Sequence, residues 1–171
     1  RGLGDVYKRQ AVSMLSNPIK PSEIITEKSV ENALRVLLAV SGSTNAVLHL
    51  AAVAGRRGIR ISDSRLNDIS EETPVLVDLK PVGKGYMEDF HAAGGVGGVL
   101  RELKSLLHLD TMNILGQTLE DRLSEPLEWV DREVIRSFDD PISPQGGLIA
   151  LSGNIAPCLL YTSDAADEGH C

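Results

Sequence analysis

With 171 residues and a net charge of −7, from 17 Lys and Arg against 24 Asp and Glu, the chain has the length of one domain or of a piece cut from a larger one. Its 42% apolar and 24% charged residues are ordinary globular values that exclude a disordered or collagen-like chain, and the acidic balance argues against a nucleic-acid groove or a polybasic membrane surface. No apolar run approaches the roughly 18 residues of a membrane helix and no signal peptide is visible, so a soluble, cytoplasmic protein that binds neither nucleic acid nor membrane is expected.

The two ends read as translated laboratory DNA. Asp5-Val6-Tyr7-Lys8-Arg9-Gln10 can be encoded by GAT GTG TAT AAG AGA CAG. The reverse complement of that string, read one base in, encodes Cys158-Leu159-Leu160-Tyr161-Thr162 followed by a serine codon, Ser163. Such an inverted repeat resembles a transposase-type sequencing adapter. Residues 1–10 and 158–171 are therefore expected to be non-native, leaving Ala11–Pro157 as natural sequence. Removing Arg1, Lys8, Arg9, Asp5, Asp164, Asp167 and Glu168 leaves that segment with a net charge of −6. Both cysteines, Cys158 and Cys171, lie in the trailing flank, which excludes disulfides, Cys nucleophiles and thiolate metal or cluster sites from the segment.

From Thr26, a candidate N-cap, Val30, Ala33, Leu34, Leu37 and Leu38 form the stripe of an amphipathic helix. Ser41-Gly42 interrupts it, and Ser43 or Thr44 caps a second helix over Ala46–Ala54 that is apolar on nearly every side and so expected to be buried. Gly55 and Gly58 end it. Ile59–Ile61 is a candidate short strand. Ser62 or Asp63 opens a polar helix that closes before Thr73-Pro74. Val75–Leu79 reads as a strand, 80–85 as a loop, and Tyr86 or Met87 starts a helix to Ala92. The cluster Gly94-Gly95-Val96-Gly97-Gly98 interrupts it, and helix resumes over Val99–Leu103. Asn113–Gly116 resembles a strand end, and Thr118 caps a short helix to Leu123. Residues 126–147, rich in Pro and Gly, read as a connection, and Leu148–Leu151 as the first strand of something further. This alternation predicts an α/β layered domain.

The first turn of the apolar helix, Ser41 to Asn45, offers unpaired backbone N–H groups and the positive end of the helix dipole to a phosphate or carboxylate; a capped helix–helix turn explains the same residues. On that apolar helix His49 is expected to be a hydrogen-bonded core histidine. Glu88, Asp89 and His91 could form hard-metal or acid/base groups, or simply a solvated first turn. The glycine cluster fails the dinucleotide-loop spacing, because Leu100 stands where the third glycine belongs, and close helix packing explains it better. Lys80 and Lys84 could steer an acidic substrate or be ordinary solvated loop lysines.

Glu31-Asn32-Ala33 followed by Gly42-Ser43-Thr44-Asn45-Ala46-Val47-Leu48-His49-Leu50 resembles the dihydroxy-acid and sugar-acid dehydratase family. Further stretches follow in the family's order: Thr73-Pro74, Leu79-Lys80-Pro81, Met87-Glu88-Asp89-Phe90, Ala93-Gly94-Gly95, Leu107-His108, Gly116 and Val134-Ile135-Arg136. Asp139-Asp140-Pro141, Gly146-Gly147-Leu148 and Gly153-Asn154-Ile155-Ala156-Pro157 complete the series over most of Thr26–Pro157. Ser41 departs from the family's usual glycine, which puts a tight turn there at risk. The Asp-Asp-Pro and Gly-Gly-Leu end leans toward the sugar-acid branch.

The resemblance implies removal of water from a 2,3-dihydroxy acid to give a 2-keto acid, with a Lewis acid on the C3 oxygen and a base at the C2 proton. It also implies an iron–sulfur cluster and Mg²⁺ in the parent enzyme, held by motifs absent from this chain, and a homo-oligomeric parent acting on a small dihydroxy or sugar acid. The expected organisation is the latter part of an N-terminal α/β domain over 11–125, a linker over 126–147, and over 148–157 the first strand of a β-barrel-like C-terminal domain. The chain alone is expected to be inactive and to bind no cofactor; Ser43, Thr44 and Asn45 would line the parent's substrate cleft without a catalytic role. The competing reading is a small non-catalytic module that binds an anion or nucleotide at the Ser43 helix end.

Overall fold

The computed structural model describes residues 8, 9, 11, 12, 14–16, 18–80, 83–126, 129–155 and 159–162, the last four by their backbone alone. Cys158, Cys171, most of both flanks, Pro81, Ala156 and Pro157 lie outside the described residues.

From Pro21 onward the described residues include seven α-helices, a 3₁₀ turn and one short two-stranded sheet. In chain order these are α1 (Pro21–Ile24), α2 (Glu27–Ala39), α3 (Thr44–Gly55), α4 (Asp63–Glu72), α5 (Met87–Ala92) and α6 (Gly95–Glu102). The 3₁₀ turn Lys104–Leu106, α7 (Leu119–Ser124), β1 (Leu148–Leu151) and β2 (Leu159–Thr162) follow. This is a mixed, mainly helical α/β arrangement. Among the described residues no helix is long and apolar enough to cross a membrane.

Helix α2 organises the rest. It begins where Thr26 and Ser29 exchange hydrogen bonds: the Ser29 N–H donates to Thr26 Oγ1 at 3.2 Å and the Thr26 N–H to Ser29 Oγ at 2.9 Å. Its Val30, Leu34, Leu37 and Leu38 join Val47 and Ala54 of α3, Leu66 and Ile69 of α4, and Leu148 and Ala150 of β1 in one apolar cluster. Ala39 at its end belongs to a second cluster with Leu76, Val77, Leu79, Phe90, Ala93, Val99, Leu103, Leu107 and Ile135. One helix thus contributes to two cores, because apolar residues occupy more than one side of its final turns.

Several expectations are corrected by the packing. Ile59–Ile61 forms no strand; instead the Ile59 N–H donates to the Ala54 carbonyl at the end of α3 at 3.0 Å. Residues 75–79 make only isolated bridges, Val75 with Ser143, Val77 with Ile135 and Leu79 with Gly85. The amides of Leu76 and Val77 both donate to the Ala39 carbonyl at the end of α2, at 2.8 and 3.2 Å, which takes donors that a continuous ladder would need. Asn113–Gly116 is a turn. Asn113 Oδ1 accepts the N–H groups of Leu115 and Gln117 at 2.8 and 3.1 Å, and Gly116 takes φ +77°. The glycine cluster does not delay the next helix, since α6 starts at Gly95. A Cβ on buried Gly98 would lie 3.1 Å from Ile135 Cδ1, so glycine there lets α6 sit close to the segment carrying Ile135.

The apolar helix α3 is also less buried than its composition predicts. Val47 and Ala54 are buried, whereas Leu48 is 63% and Val53 48% exposed. His49 is exposed as well, which overturns its expected place in the core.

Strand β1 is held mainly by side chains of α4. Asn67 Nδ2 donates to the Ala150 carbonyl at 2.9 Å while the Ala150 N–H donates to Asn67 Oδ1 at 2.8 Å. Ser70 Oγ donates to the Leu148 carbonyl at 2.7 Å. Its other edge pairs antiparallel with β2, Leu148 opposite Thr162 and Leu151 opposite Leu159.

Candidate functional site

The turn from α2 to α3 is built by backbone geometry. The Gly42 N–H donates to the Leu37 carbonyl at 2.9 Å and the Ser41 N–H to the Leu38 carbonyl at 3.2 Å, the paired bonds of a Schellman ending. That ending places the residue after the C-cap in the left-handed region, and Ser41 has φ +50°. The tight turn is therefore kept despite the serine, at a backbone strain of about 1 kcal/mol that glycine would not carry. Gly42 follows so closely that a Cβ would fall 2.1 Å from Leu37 Cδ1 and 3.1 Å from the Leu37 carbonyl oxygen. Ser41→Gly is expected to stabilise the chain by about 0.5–1 kcal/mol, after allowing for glycine's greater freedom when unfolded. A rise in urea midpoint at constant m-value is the readout; no change would show that the serine pose is unstrained.

Ser43 then takes the extended N-cap conformation (φ −77°, ψ 154°), but its side chain makes no capping hydrogen bond. Ser43 and Asn45 are exposed and Thr44 half-buried. The three candidate cleft residues thus stand together at the positive end of a 12-residue helix, with His49 one turn further along the exposed side.

The other candidates separate. Glu88, Asp89 and His91 are all exposed, and Asp89 Oδ2 accepts the Tyr86 N–H at 2.8 Å, so this carboxylate caps its own helix. Among the described residues no three His, Cys, Asp or Glu side chains converge to hold a metal ion. These residues do not fit an iron–sulfur cluster or a Mg²⁺ site. Lys80 Nζ sits 4.0 Å from the centre of the Tyr86 ring and donates to its hydroxyl. Lys84 lines a groove of about 370 Å³ with Asp78, Asp89, Asp131, Glu133 and Trp129. Four carboxylates around one lysine repel an acid, so this groove does not collect the acidic substrate that the lysines alone would suggest.

An ion-pair cluster forms where α2 meets α4. Glu31 Oε1 accepts Arg35 Nη2 at 3.1 Å and Oε2 accepts Arg65 Nη2 at 2.5 Å, with His108 Nε2 3.4 Å from Oε1. Arg35 is buried and also donates to Glu72 Oε2 at 2.7 Å and Thr73 Oγ1 at 3.3 Å. Next to it, Asn32 pairs with the backbone of His108 in both directions, Nδ2 to the carbonyl at 2.9 Å and the N–H to Oδ1 at 2.8 Å. Burial pushes the Glu31 carboxyl up, but hydrogen bonds from Arg65 and Arg35 and the charges of Arg65 and His108 outweigh it and hold it below its ordinary value. The i,i+4 spacing of Glu31 and Arg35 was the one signal of this cluster in the sequence. Three of the stretches that carry the family resemblance, around Glu31, Thr73 and His108, meet here as packing and pairing partners.

Comparison with known proteins accords with that ordered set of stretches. The sequence pattern of the Dihydroxy-acid/6-phosphogluconate dehydratase N-terminal family matches residues 5–122, beginning inside the leading flank. The chain is 45% identical over 148 residues to a dihydroxy-acid dehydratase of Acetivibrio thermocellus, covering 85% of this chain and 26% of that protein. It is 40% identical over 164 residues to a dihydroxy-acid dehydratase of Maridesulfovibrio salexigens, covering 93% of this chain and 30% of the relative. An L-arabinonate dehydratase of Rhizobium leguminosarum bv. trifolii is 40% identical over 164 residues, covering 95% and 28%. The chain therefore spans only between a quarter and a third of the length of these relatives. With more than half its length matched and its characteristic stretches folded against one another, the chain belongs to the dihydroxy-acid/6-phosphogluconate dehydratase N-terminal family.

Proposed function

We propose that this chain is an internal section of a hydro-lyase that converts a 2,3-dihydroxy carboxylic acid to a 2-keto acid. The observation that carries this is the 40–45% identity, along most of the chain, to relatives named for dehydration of a dihydroxy acid or of L-arabinonate. Those two names span both the branched-chain and the sugar-acid branches, and the substrate proposed is their shared chemistry, a carboxylate with hydroxyls at C2 and C3.

The section comprises part of the N-terminal α/β domain, with 126–147 leading to the first strand of a β-barrel-like domain, and residues 1–10 and 158–171 are adapter-derived. The complementary coding of Asp5–Gln10 and Cys158–Ser163 supports the last point. The parent's cluster and Mg²⁺ are held outside this section, which by itself is inactive and binds no cofactor. Their chemistry when bound is to take the departing C3 oxygen.

Within the section, Ser43, Thr44 and Asn45 line the substrate cleft. Their exposure at the start of α3 supports this, because small hydroxyl and amide groups beside outward backbone N–H groups suit a carboxylate without blocking its approach. The parent is a cytoplasmic homo-oligomer.

The full-length gene, recovered from the source DNA and expressed anaerobically with iron, sulfide and Mg²⁺, is expected to release 2-keto acid from a branched 2,3-dihydroxy acid or from an aldonic acid. Residues 1–171 treated identically are expected to give no keto acid and no cluster absorbance in the visible range. Stoichiometric cluster uptake by the 171-residue chain, or a cluster-loaded parent inert toward both acid types, would reject the proposal.

A further inference from the structure

The chain passes from α3 to α4 in a short segment whose two ends are tied. The Ile59 N–H donates to the Ala54 carbonyl at 3.0 Å, and the Ser62 hydroxyl accepts the Arg65 N–H at 3.2 Å to start α4. Between those ties the segment does not close on α2, and a groove of about 430 Å³ remains among the three elements. Its apolar lining comes from Val30 and Leu34 of α2, Ile59 and Ile61 of the segment, and Ile69 of α4. Its polar lining holds charges of both signs. Glu31 and Arg65 neutralise each other, with Oε2 and Nη2 2.5 Å apart. Glu27 and Arg60 are left over. Both are exposed, both line the groove, and among the described residues neither side chain has a hydrogen-bond or ion-pair partner.

We propose that this groove binds an aliphatic α-amino acid, with its carboxylate on Arg60, its ammonium on Glu27 and its side chain against the apolar lining. The charge pattern selects the class. A plain acid would face the Glu27 carboxylate and a plain amine the Arg60 guanidinium, whereas a zwitterion satisfies both groups and adds no net charge. A guanidinium offers a carboxylate parallel N–H donors, and an ammonium has three donors for a carboxylate. Five branched aliphatic side chains along the lining favour an apolar side chain over a polar one, which would be left without hydrogen bonds there. The volume lies within the roughly 300–1,000 Å³ of small-molecule sites. Ser43, Thr44 and Asn45 take no part in this groove. Binding here is read without turnover and does not depend on the dehydratase activity.

L-Leucine is the probe, titrated into the isotope-labelled 171-residue chain and followed by residue-resolved amide shifts. Saturable shifts centred on residues 27–31 and 59–62, with a Kd of about 1 mM or tighter, are expected. The 2-keto acid of the same carbon skeleton lacks the ammonium, isopentylamine lacks the carboxylate, and L-alanine lacks the side chain that reaches the apolar lining. Each is expected to bind at least about tenfold more weakly than leucine. A keto acid or amine that binds as tightly as leucine overturns the zwitterion site, and alanine that does so overturns the role of the apolar lining. The absence of saturable shifts at about 20 mM leucine overturns the site outright.

Arg60→Glu and Glu27→Gln, both at exposed positions, are each expected to weaken leucine binding at least about fivefold while leaving the far-UV circular dichroism spectrum unchanged. Unaltered binding in either variant overturns the assignment of that charge. The same titration is repeated on the full-length parent, where shifts at the same residues are expected. A parent that gives none, although the 171-residue chain responds, means that other parts of the parent cover the groove, and overturns it as a site of the natural protein.

Discussion

Arg35→Met is expected to lower the stability of the chain by about 2–4 kcal/mol, read as a fall in the urea midpoint followed by far-UV circular dichroism. Methionine keeps the apolar stem of the side chain, so the effect isolates the guanidinium. That group is buried and bonded to Glu31, Glu72 and Thr73. Glu72 is 54% exposed along its side chain and returns to water without great cost, whereas the Glu31 side chain is only 17% exposed and loses one of its cationic partners. The buried Nε of Arg35 has no hydrogen-bond partner, so the ion pair already carries some desolvation cost. For that reason Arg35→Met combined with Glu31→Leu is expected to recover more than half of the loss, since no half-buried carboxylate is left behind. A loss under about 1 kcal/mol in the single variant would show that the cluster is solvated.

The same carboxylate sets part of the acid response. Because Glu31 is held below its ordinary value of 4.5 in the folded chain, its contribution is fully present above that pH. It is lost as pH falls through the lower folded-state value. The stability curve of the unsubstituted chain should therefore drop below pH 4.5, and Glu31→Gln should flatten that limb. Asp110, lowered by its hydrogen bond from Lys28, and Asp121, lowered by Thr118, act in the same direction from the surface.

The second large effect is expected at Leu38. This side chain is fully buried on α2, and Gly146 approaches it so closely that a Cβ there would lie 3.1 Å from Leu38 Cδ2. Leu38→Ala removes three buried carbons from a point where α2, α4 and the segment before β1 converge, at a cost of about 3–5 kcal/mol. That is a large share of the 5–15 kcal/mol by which domains are usually stable. Leu48→Ala, on the exposed side of α3, should cost less than about 0.5 kcal/mol in this chain. Equal losses at the two leucines would mean that α3 is buried on both sides in solution.

Those two leucines also separate what local sequence reveals from what it does not. The Thr26 cap, the apolar spacing of α2, the Ser62 start of α4 and the Thr118 start of α7 follow from short-range rules, since capping and periodicity depend on residues three or four apart. The helix start at Ser43, Thr44 and Asn45 was legible for the same reason, because the preceding Ser41-Gly42 marks it. Burial is different. Val47 and Leu48 are adjacent and equally apolar, yet one is 7% and the other 63% exposed, because only the position of α2 decides which side of α3 is covered.

Pairing over long separations was likewise invisible. Glu31 and Arg35 could be matched from spacing, but Arg65 and His108 reach Glu31 only after α4 and the segment beyond the 3₁₀ turn pack on α2. Val75–Leu79 has the composition of a strand, and whether such a run becomes one depends on what lies beside it; here its neighbours are a helix end and loops. The chain's own composition, caps and ordered motifs determined most of its helices and its family. Tertiary contact alone decided which apolar faces are covered, which charges meet and which extended runs find a ladder, because each of those outcomes depends on groups dozens of residues away whose approach no local preference encodes.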